Sequence, residues 1–179
     1  MTTHASAHPV EIEAPADRFI RLNEVRIANI AMTEAVDRIA RAAWERRDLP
    51  VFFVNADCLN LTAKHADYRA VLQRPDALVL GDGSGIRLAG KLTRQPVADN
   101  VNGTDMLPLL CERCAREGLK VYFLGAKPGR AEATGNRMKD LFPDLAVAGA
   151  RDGYFSESET DAVVAEINAS GADILLVGL

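Results

Sequence analysis

The clearest structural signal in the chain is Ala77-Leu78-Val79-Leu80-Gly81-Asp82-Gly83-Ser84-Gly85, an apolar run that ends in an acidic, glycine-rich turn. An unbroken apolar run of this length is typical of a strand buried on both faces of a parallel sheet. Glycines then allow a sharp turn into a helix, which the pattern predicts over 83–92. Open α/β sheets bind ligands outside the carboxyl ends of their strands, so this turn is the best candidate for a functional centre.

The same alternation of apolar runs and amphipathic stretches continues along the chain and predicts an α/β fold with a mainly parallel sheet. Strands are predicted near 51–54, 77–80, 119–124, 145–149 and 173–178, and helices near 57–73, 83–92, 105–117, 129–141 and 157–169. Alternating apolar residues over 19–27 predict a small N-terminal β element. Thr33 is expected to cap the helix that follows, with Trp44 on its apolar face.

Composition indicates a single soluble domain. The chain has 179 residues, of which 48% are hydrophobic and 26% charged, and its net charge is −4. The 21 basic and 25 acidic residues are spread along the sequence, so there is no cluster of positive charge that could bind the phosphates of DNA or RNA. No nucleic-acid partner is therefore expected. No apolar run approaches the roughly 20 residues of a membrane span, and the start lacks signal-peptide features, so a cytoplasmic location is expected.

The domain boundaries follow from the same patterns. Residues 1–17 have no sustained period and are expected to form a flexible tail, whereas 18–179 are expected to form one domain. The sequence stops directly after the apolar run 174–177, where a central strand should feed its next helix. The domain is therefore expected to be incomplete at its C-terminal end.

Cysteine and histidine offer no metal site. Cys58, Cys111 and Cys114 are expected to be free thiols, and the C-x-x-C they include falls inside a predicted helix, where packing is favoured over metal binding. His65 is interpreted as a surface residue.

Polar residues at the strand ends supply the candidate chemistry. Asp82 can act as a general base or can cap the helix that starts beside it, and the spacing leaves both open. Asn55 can bind a sugar or base or satisfy its own loop, and Asp57 is expected to cap the following helix. Gly125-Ala126-Lys127-Pro128-Gly129 is either an anion-binding turn or a plain tight turn. The turns over 100–105 and 151–155 can likewise be architectural.

Six of these segments, in their order, resemble the WecG/TagA/CpsF family of bacterial glycosyltransferases. The matching segments are Asn55-Ala56, Gly81–Gly85, Val101–Asp105, Phe123–Gly129, Asp152–Phe155 and Ala172–Gly178. The resemblance implies a Rossmann-like fold and inverting, metal-independent transfer of a hexose or N-acetylhexosamine from a UDP-sugar to a polyprenyl-diphosphate-linked acceptor in surface polysaccharide or teichoic acid synthesis. It also implies peripheral association with the inner face of the cell membrane through a C-terminal region that is not in this sequence. A homo-oligomer is a separate expectation.

The resemblance also assigns roles to residues. Asp82 corresponds to the catalytic base. The expected substrate-binding residues are Asn55, Gly83, Ser84, Gly85, Asn100, Asn102, Gly103, Asp105, Gly125, Lys127, Asp152, Gly153 and Tyr154. No metal-binding residue is implied.

Two departures from the family pattern leave the donor sugar open. Phe53-Val54-Asn55 stands where members often carry Thr-Pro-Asn, and Asn100 stands where an Arg is common. Both N-acetylmannosamine and glucose donors remain consistent with the sequence. The alternative is a catalytically silent module that binds a nucleotide sugar. A nicotinamide-dependent oxidoreductase is disfavoured because G-x-G-x-x-G is absent after the first strand.

Overall fold

The computed structural model describes residues 18–178, and the predicted tail over 1–17 lies outside this range. The elements, in chain order, are β1 (Phe19–Leu22), β2 (Val25–Ala28), α1 (Met32–Trp44), β3 (Val51–Val54), α2 (Ala56–Lys64), α3 (Ala66–Leu72), β4 (Leu78–Gly81), α4 (Gly83–Leu92), α5 (Gly103–Glu117), β5 (Lys120–Gly125), α6 (Arg130–Leu141), β6 (Ala146–Arg151), α7 (Thr160–Ala169) and β7 (Ile174–Gly178). A 3₁₀ turn, Glu157–Glu159, precedes α7. The α/β class is confirmed.

The strands form two hydrogen-bonded sheets. The first has the order β1-β2-β4-β3, in which the predicted N-terminal β element is an antiparallel hairpin of β1 and β2 and the other pairs are parallel. The second has the order β6-β5-β7 and is entirely parallel. One apolar core serves both sheets, because Leu80 of β4 and Phe123 of β5 belong to the same buried cluster.

Helices α1 and α5 fill the shared core. They pack against each other and bury Val36, Ile39, Leu110, Cys111 and Cys114. Burial raises the pKa of the Cys111 thiol to about 11 and that of Cys114 to about 12, so both are protonated at neutral pH. Both cysteines are packed in the core, as the helical position of the C-x-x-C predicts, and the absence of a metal at this motif stays a prediction.

Three local predictions about helices are wrong, each for a physical reason. Helix α1 is not capped by Thr33. Its first amide, that of Met32, donates to the carboxylate of Asp99 at 2.9 Å. Asp99 lies in a loop, 67 residues further along the chain. Trp44 is 71% exposed because it is the last residue of α1. The helix predicted over 57–73 breaks into α2 and α3 at His65, which has extended backbone angles and is exposed as predicted.

Candidate active site

Asp82 directly follows the buried strand β4 at the carboxyl edge of the first sheet. Its backbone amide donates to the carbonyl of Val54 at 2.8 Å, which ties the turn to the end of β3. The side chain is half-buried and precedes α4, yet it makes no capping hydrogen bond to that helix. Within residues 18–178 its carboxylate accepts no hydrogen bond at all. The structure therefore gives no support to the capping interpretation, and the carboxylate is available to a substrate hydroxyl.

Asn100 holds the turn on its other side. Its side-chain oxygen accepts from the amide of Gly83 at 2.6 Å, and the neighbouring amide of Val101 donates to the carbonyl of Gly81 at 3.1 Å. Gly83 has a φ of +86°, a left-handed conformation that glycine adopts without strain. The Asn100 side chain thus fixes the backbone beside Asp82. This is a structural role that the sequence did not predict for it.

Three helices begin at this edge. Asn55 caps α2 by accepting from the amide of Cys58 at 3.0 Å, and Asn102 caps α5 by accepting from the amide of Asp105 at 2.8 Å. Helix α4 begins at Gly83 between them. The predicted cap at Asp57 is therefore wrong by two positions. Asp57 lies instead in the first turn of α2, where a carboxylate interacts favourably with the helix dipole.

Small residues let these helix starts approach each other. A Cβ on Gly85 would lie 2.8 Å from the Cβ of Ala56, so α4 and α2 touch at this point. Gly103 packs near the ring of Phe53, where an added Cβ would lie 3.6 Å from it. The first edge thus brings together the predicted residues Asn55, Asp82, Gly83, Ser84, Gly85, Asn100, Asn102, Gly103 and Asp105. Three helix N-termini around one carboxylate favour an anionic ligand beside a base.

The remaining predicted residues form a second group, at the carboxyl end of β5. The amide of Ala126 donates to the carbonyl of Gly178 at 2.7 Å, and the amide of Gly153 donates to the carbonyl of Ala126 at 3.0 Å. These bonds gather the predicted residues Gly125, Lys127, Asp152, Gly153 and Tyr154. Tyr154 is 70% exposed. Within residues 18–178 no hydrogen bond or ion pair joins this group to the group around Asp82.

A polar network behind the second group was not predicted. The hydroxyl of Tyr122, in the buried strand β5, donates to Glu166 at 2.6 Å, and Arg151 pairs with the same carboxylate at 2.7 Å. Burial and the Glu166 carboxylate raise the pKa of Tyr122 to about 12. The Tyr122 hydrogen bond and Arg151 lower the pKa of Glu166. The only clue to this network in the sequence is a tyrosine inside an apolar strand, because a buried hydroxyl needs a hydrogen-bond partner.

We expect Tyr122→Phe to destabilise the fold by about 1 kcal/mol at pH 7, since Glu166 is partly exposed and solvent weakens the lost bond. The pKa of Glu166 is lowered, so this stabilisation is present above the ordinary glutamate pKa and is lost as pH falls through the lowered value. Urea unfolding at pH 7 and pH 3 would measure it. The gap between parent and variant should shrink at pH 3, and an equal gap at both would contradict the coupling.

We expect Asn55→Ala to lower the free energy of unfolding by about 1 kcal/mol, because the α2 start loses its side-chain acceptor. Asp57→Ala is the matched control and should cost only a few tenths of a kcal/mol, the value of an exposed charge near a helix dipole. Denaturant titration of both variants measures the difference. A larger loss for Asp57→Ala would show that the cap is assigned to the wrong residue.

The described part of the chain contains neither a metal-ligand cluster nor a membrane-spanning helix. Among residues 18–178, no three His, Cys, Asp or Glu side chains form a group that could hold a metal ion, and metal independence stays a prediction. No helix in this range is long and apolar enough to cross a bilayer.

Comparison with known proteins bears directly on this edge. A sequence model described as the glycosyl transferase WecG/TagA/CpsF family matches residues 20–179. A relative from Bacillus spizizenii, named N-acetylglucosaminyldiphosphoundecaprenol N-acetyl-beta-D-mannosaminyltransferase, is 32% identical over 112 residues. That match covers 63% of this chain and 42% of the relative, so the chain spans less than half of that relative's length. Because the family match runs from the hairpin to the end of the sequence, the chain belongs to the WecG/TagA/CpsF family of glycosyl transferases.

Proposed function

We propose that this chain provides the catalytic edge of a glycosyltransferase that moves a hexose or N-acetylhexosamine from a UDP-sugar to a polyprenyl-diphosphate-linked acceptor. The observation that carries the proposal is the Asp82 carboxylate, which is half-buried, accepts no hydrogen bond within residues 18–178 and lies among three helix starts. Family membership and the name of the Bacillus spizizenii relative support the substrate classes.

The reaction assigned to Asp82 is an inverting displacement. Its carboxylate accepts the proton of the acceptor hydroxyl while that oxygen forms a bond to the anomeric carbon of the donor. The bond between the anomeric carbon and the β-phosphate oxygen breaks, and UDP leaves with the electron pair. Because the carboxylate makes no bond to the protein within residues 18–178, none has to be broken before it accepts the proton.

The leaving diphosphate needs positive potential, and the N-termini of α2, α4 and α5 supply it. Asn55 caps the start of α2, and Asn102, which also donates to the Asp105 carboxylate, caps the start of α5. The start of α4 is held by Asn100 through the amide of Gly83. We propose that this arrangement stabilises the diphosphate without a metal ion. The second group, with Lys127 and the Asp152–Tyr154 turn, is proposed to contact the nucleotide.

The identity of the donor sugar depends on the contacts made at the position of Asn100. Asn100 uses its oxygen on the amide of Gly83, at a position where the resemblance implies an Arg. An amide cannot bind phosphate bidentately as a guanidinium does, so donor contacts here differ from the usual N-acetylmannosaminyl pattern. Both N-acetylmannosamine and glucose remain candidate sugars. Since the proposed acceptor is lipid-linked and nucleotide sugars are cytoplasmic, we place the reaction at the inner face of the cell membrane.

A transfer assay tests the proposal. UDP-N-acetylmannosamine, UDP-glucose and UDP-N-acetylglucosamine would be offered with a synthetic lipid-diphosphate N-acetylglucosamine acceptor, to the 179-residue chain and to its full-length gene product. Turnover with one donor in either form supports the proposal and identifies the sugar. UDP binding without turnover in both forms would overturn it in favour of a silent binding module.

A further inference from the structure

A polar cavity lies away from Asp82, on the outward face of the N-terminal hairpin. It has a volume of about 320 Å³. Its wall includes Phe19, Arg21 and Arg26 of the hairpin, Arg38 of α1, and Arg74 and Pro75 in the connection before β4. The cavity reaches β4 at its first residues, Leu78 and Val79, whereas Asp82 follows the opposite end of that strand. It therefore belongs to neither candidate group described above.

The hairpin places two like charges side by side. Arg21 of β1 and Arg26 of β2 are directly opposite in the antiparallel register, and both are exposed on the same face. Like charges at opposite positions destabilise an antiparallel pair, whereas opposite charges stabilise it. The chain has 25 acidic residues, so an acid opposite one of the two arginines would be an ordinary alternative. The pair therefore weakens the hairpin unless an anion lies between the two guanidinium groups.

Neither guanidinium is neutralised by another residue in the part of the chain that the structure describes. Within residues 18–178, Arg21 and Arg26 make no ion pair, and the only side-chain interaction of each is with the ring of Phe19, at 5.8 Å and 4.2 Å from its centre. The other charges of the wall differ in this respect. Arg74 is held by Asp76 through two hydrogen bonds, and the single acid of the wall, Glu24, pairs with Arg69 at 3.7 Å.

We propose that this cavity binds a phosphate or diphosphate group between Arg21 and Arg26. Each guanidinium presents a planar fork of N–H donors that matches a phosphate bidentately. The Phe19 ring holds both groups through cation–π contact, so less side-chain freedom is lost on binding. The phosphate belongs either to a lipid headgroup or to a soluble phosphorylated compound. This inference does not depend on the glycosyltransferase proposal, since it uses no residue of the Asp82 edge.

Titration with inorganic diphosphate, followed through backbone amide signals in NMR spectra, tests the site by position. We expect the amides of Phe19, Arg21 and Arg26 to shift, and the Arg21→Gln/Arg26→Gln variant to bind at this site at least tenfold more weakly. Arg116→Gln/Arg137→Gln removes the same charge from exposed positions of α5 and α6 and should bind as the parent does. Shifts confined to residues 82–85 or 125–129, or equal binding by both variants, would overturn the proposal.

Stability measurements separate lost binding from lost folding. In phosphate-free buffer the Arg21→Gln/Arg26→Gln variant should melt close to the parent, since the substitutions remove the repulsion between the two guanidinium groups and also their cation–π contacts with Phe19. Diphosphate should raise the melting temperature of the parent more than that of the variant. Arg26→Lys keeps the charge without the fork and should bind with intermediate affinity. Full affinity in Arg26→Lys together with an unfolded double variant would contradict the bidentate site.

Flotation with phosphatidylglycerol vesicles identifies the source of the phosphate. Vesicle binding that is lost in the Arg21→Gln/Arg26→Gln variant and kept in the α5/α6 control assigns a lipid headgroup. Diphosphate binding without vesicle binding assigns a soluble phosphorylated compound. Vesicle binding that is equal in all forms, with no diphosphate shift at the hairpin, would overturn the site for both sources.

Discussion

Replacing Asp82 by Asn should reduce sugar transfer about 10²–10⁴-fold, the usual contribution of a general base, while the fold stays intact. The amide is nearly the same size as the carboxylate but cannot accept the proton of the acceptor hydroxyl. The stability should change little, because the Asp82 side chain makes no capping bond to α4 and accepts no hydrogen bond within residues 18–178.

The measurement is initial-rate transfer by the full-length gene product, with urea unfolding of the same preparations. UDP affinity should change by less than about threefold, since the diphosphate contacts are assigned to helix starts rather than to this side chain. Asp67→Asn, an exposed carboxylate in the first turn of α3, is the matched control and should leave transfer unchanged. Retained turnover in Asp82→Asn would remove its assignment as base. An unfolded variant would return Asp82 to a structural role.

Gly125→Ala should destabilise the fold by about 3–5 kcal/mol. Gly125 ends β5 with a φ of +134°, which costs an L-residue about 1–3 kcal/mol, and an added Cβ would collide with the carbonyl group of Gly178 in β7. That carbonyl also accepts the amide of Ala126, so relief of the collision breaks a hydrogen bond between neighbouring chain segments.

Gly129→Ala separates strain from collision. Gly129 also has a positive φ, of +81°, but an added Cβ there would meet nothing within 4 Å. It should cost about 1–2 kcal/mol, the strain of a left-handed L-residue alone. Denaturant titration of the two variants would give the difference. Equal losses would mean that the contact between Gly125 and Gly178 is not tight in solution.

The sequence predicts well those features that depend on neighbouring residues. The helix predicted over 83–92 has those limits in the structure, and the hairpin and the strand at 51–54 are found where alternation and apolar runs place them. Cys111 and Cys114 are buried in α5 as the helical setting of their motif indicates. In each case the period of apolar residues contains the required information.

Features that depend on contacts between distant residues cannot be predicted from the local sequence pattern. Asp99 caps α1 from a loop, so no residue near Thr33 could reveal it. Asn55 and Asp57 are both good cap residues, and only the position of the strand end decides between them. The pairing of Arg21 with Arg26 needs the hairpin register, and the bond from Tyr122 to Glu166 spans 44 positions. The division of strands between two sheets also follows from packing rather than from any single run.

The loop from Thr93 to Asn102 has a consequence for biosynthesis. Asp99 and Gln95 hold the start of α1 and the hairpin from 67 and 74 residues further along the chain. The amino-terminal third of the protein therefore cannot reach its final bonded state on the ribosome until roughly a hundred residues have emerged. Up to that moment α1 lacks its cap and the outer hairpin strand lacks its side-chain partner, so both acquire these bonds only after the loop has been synthesised.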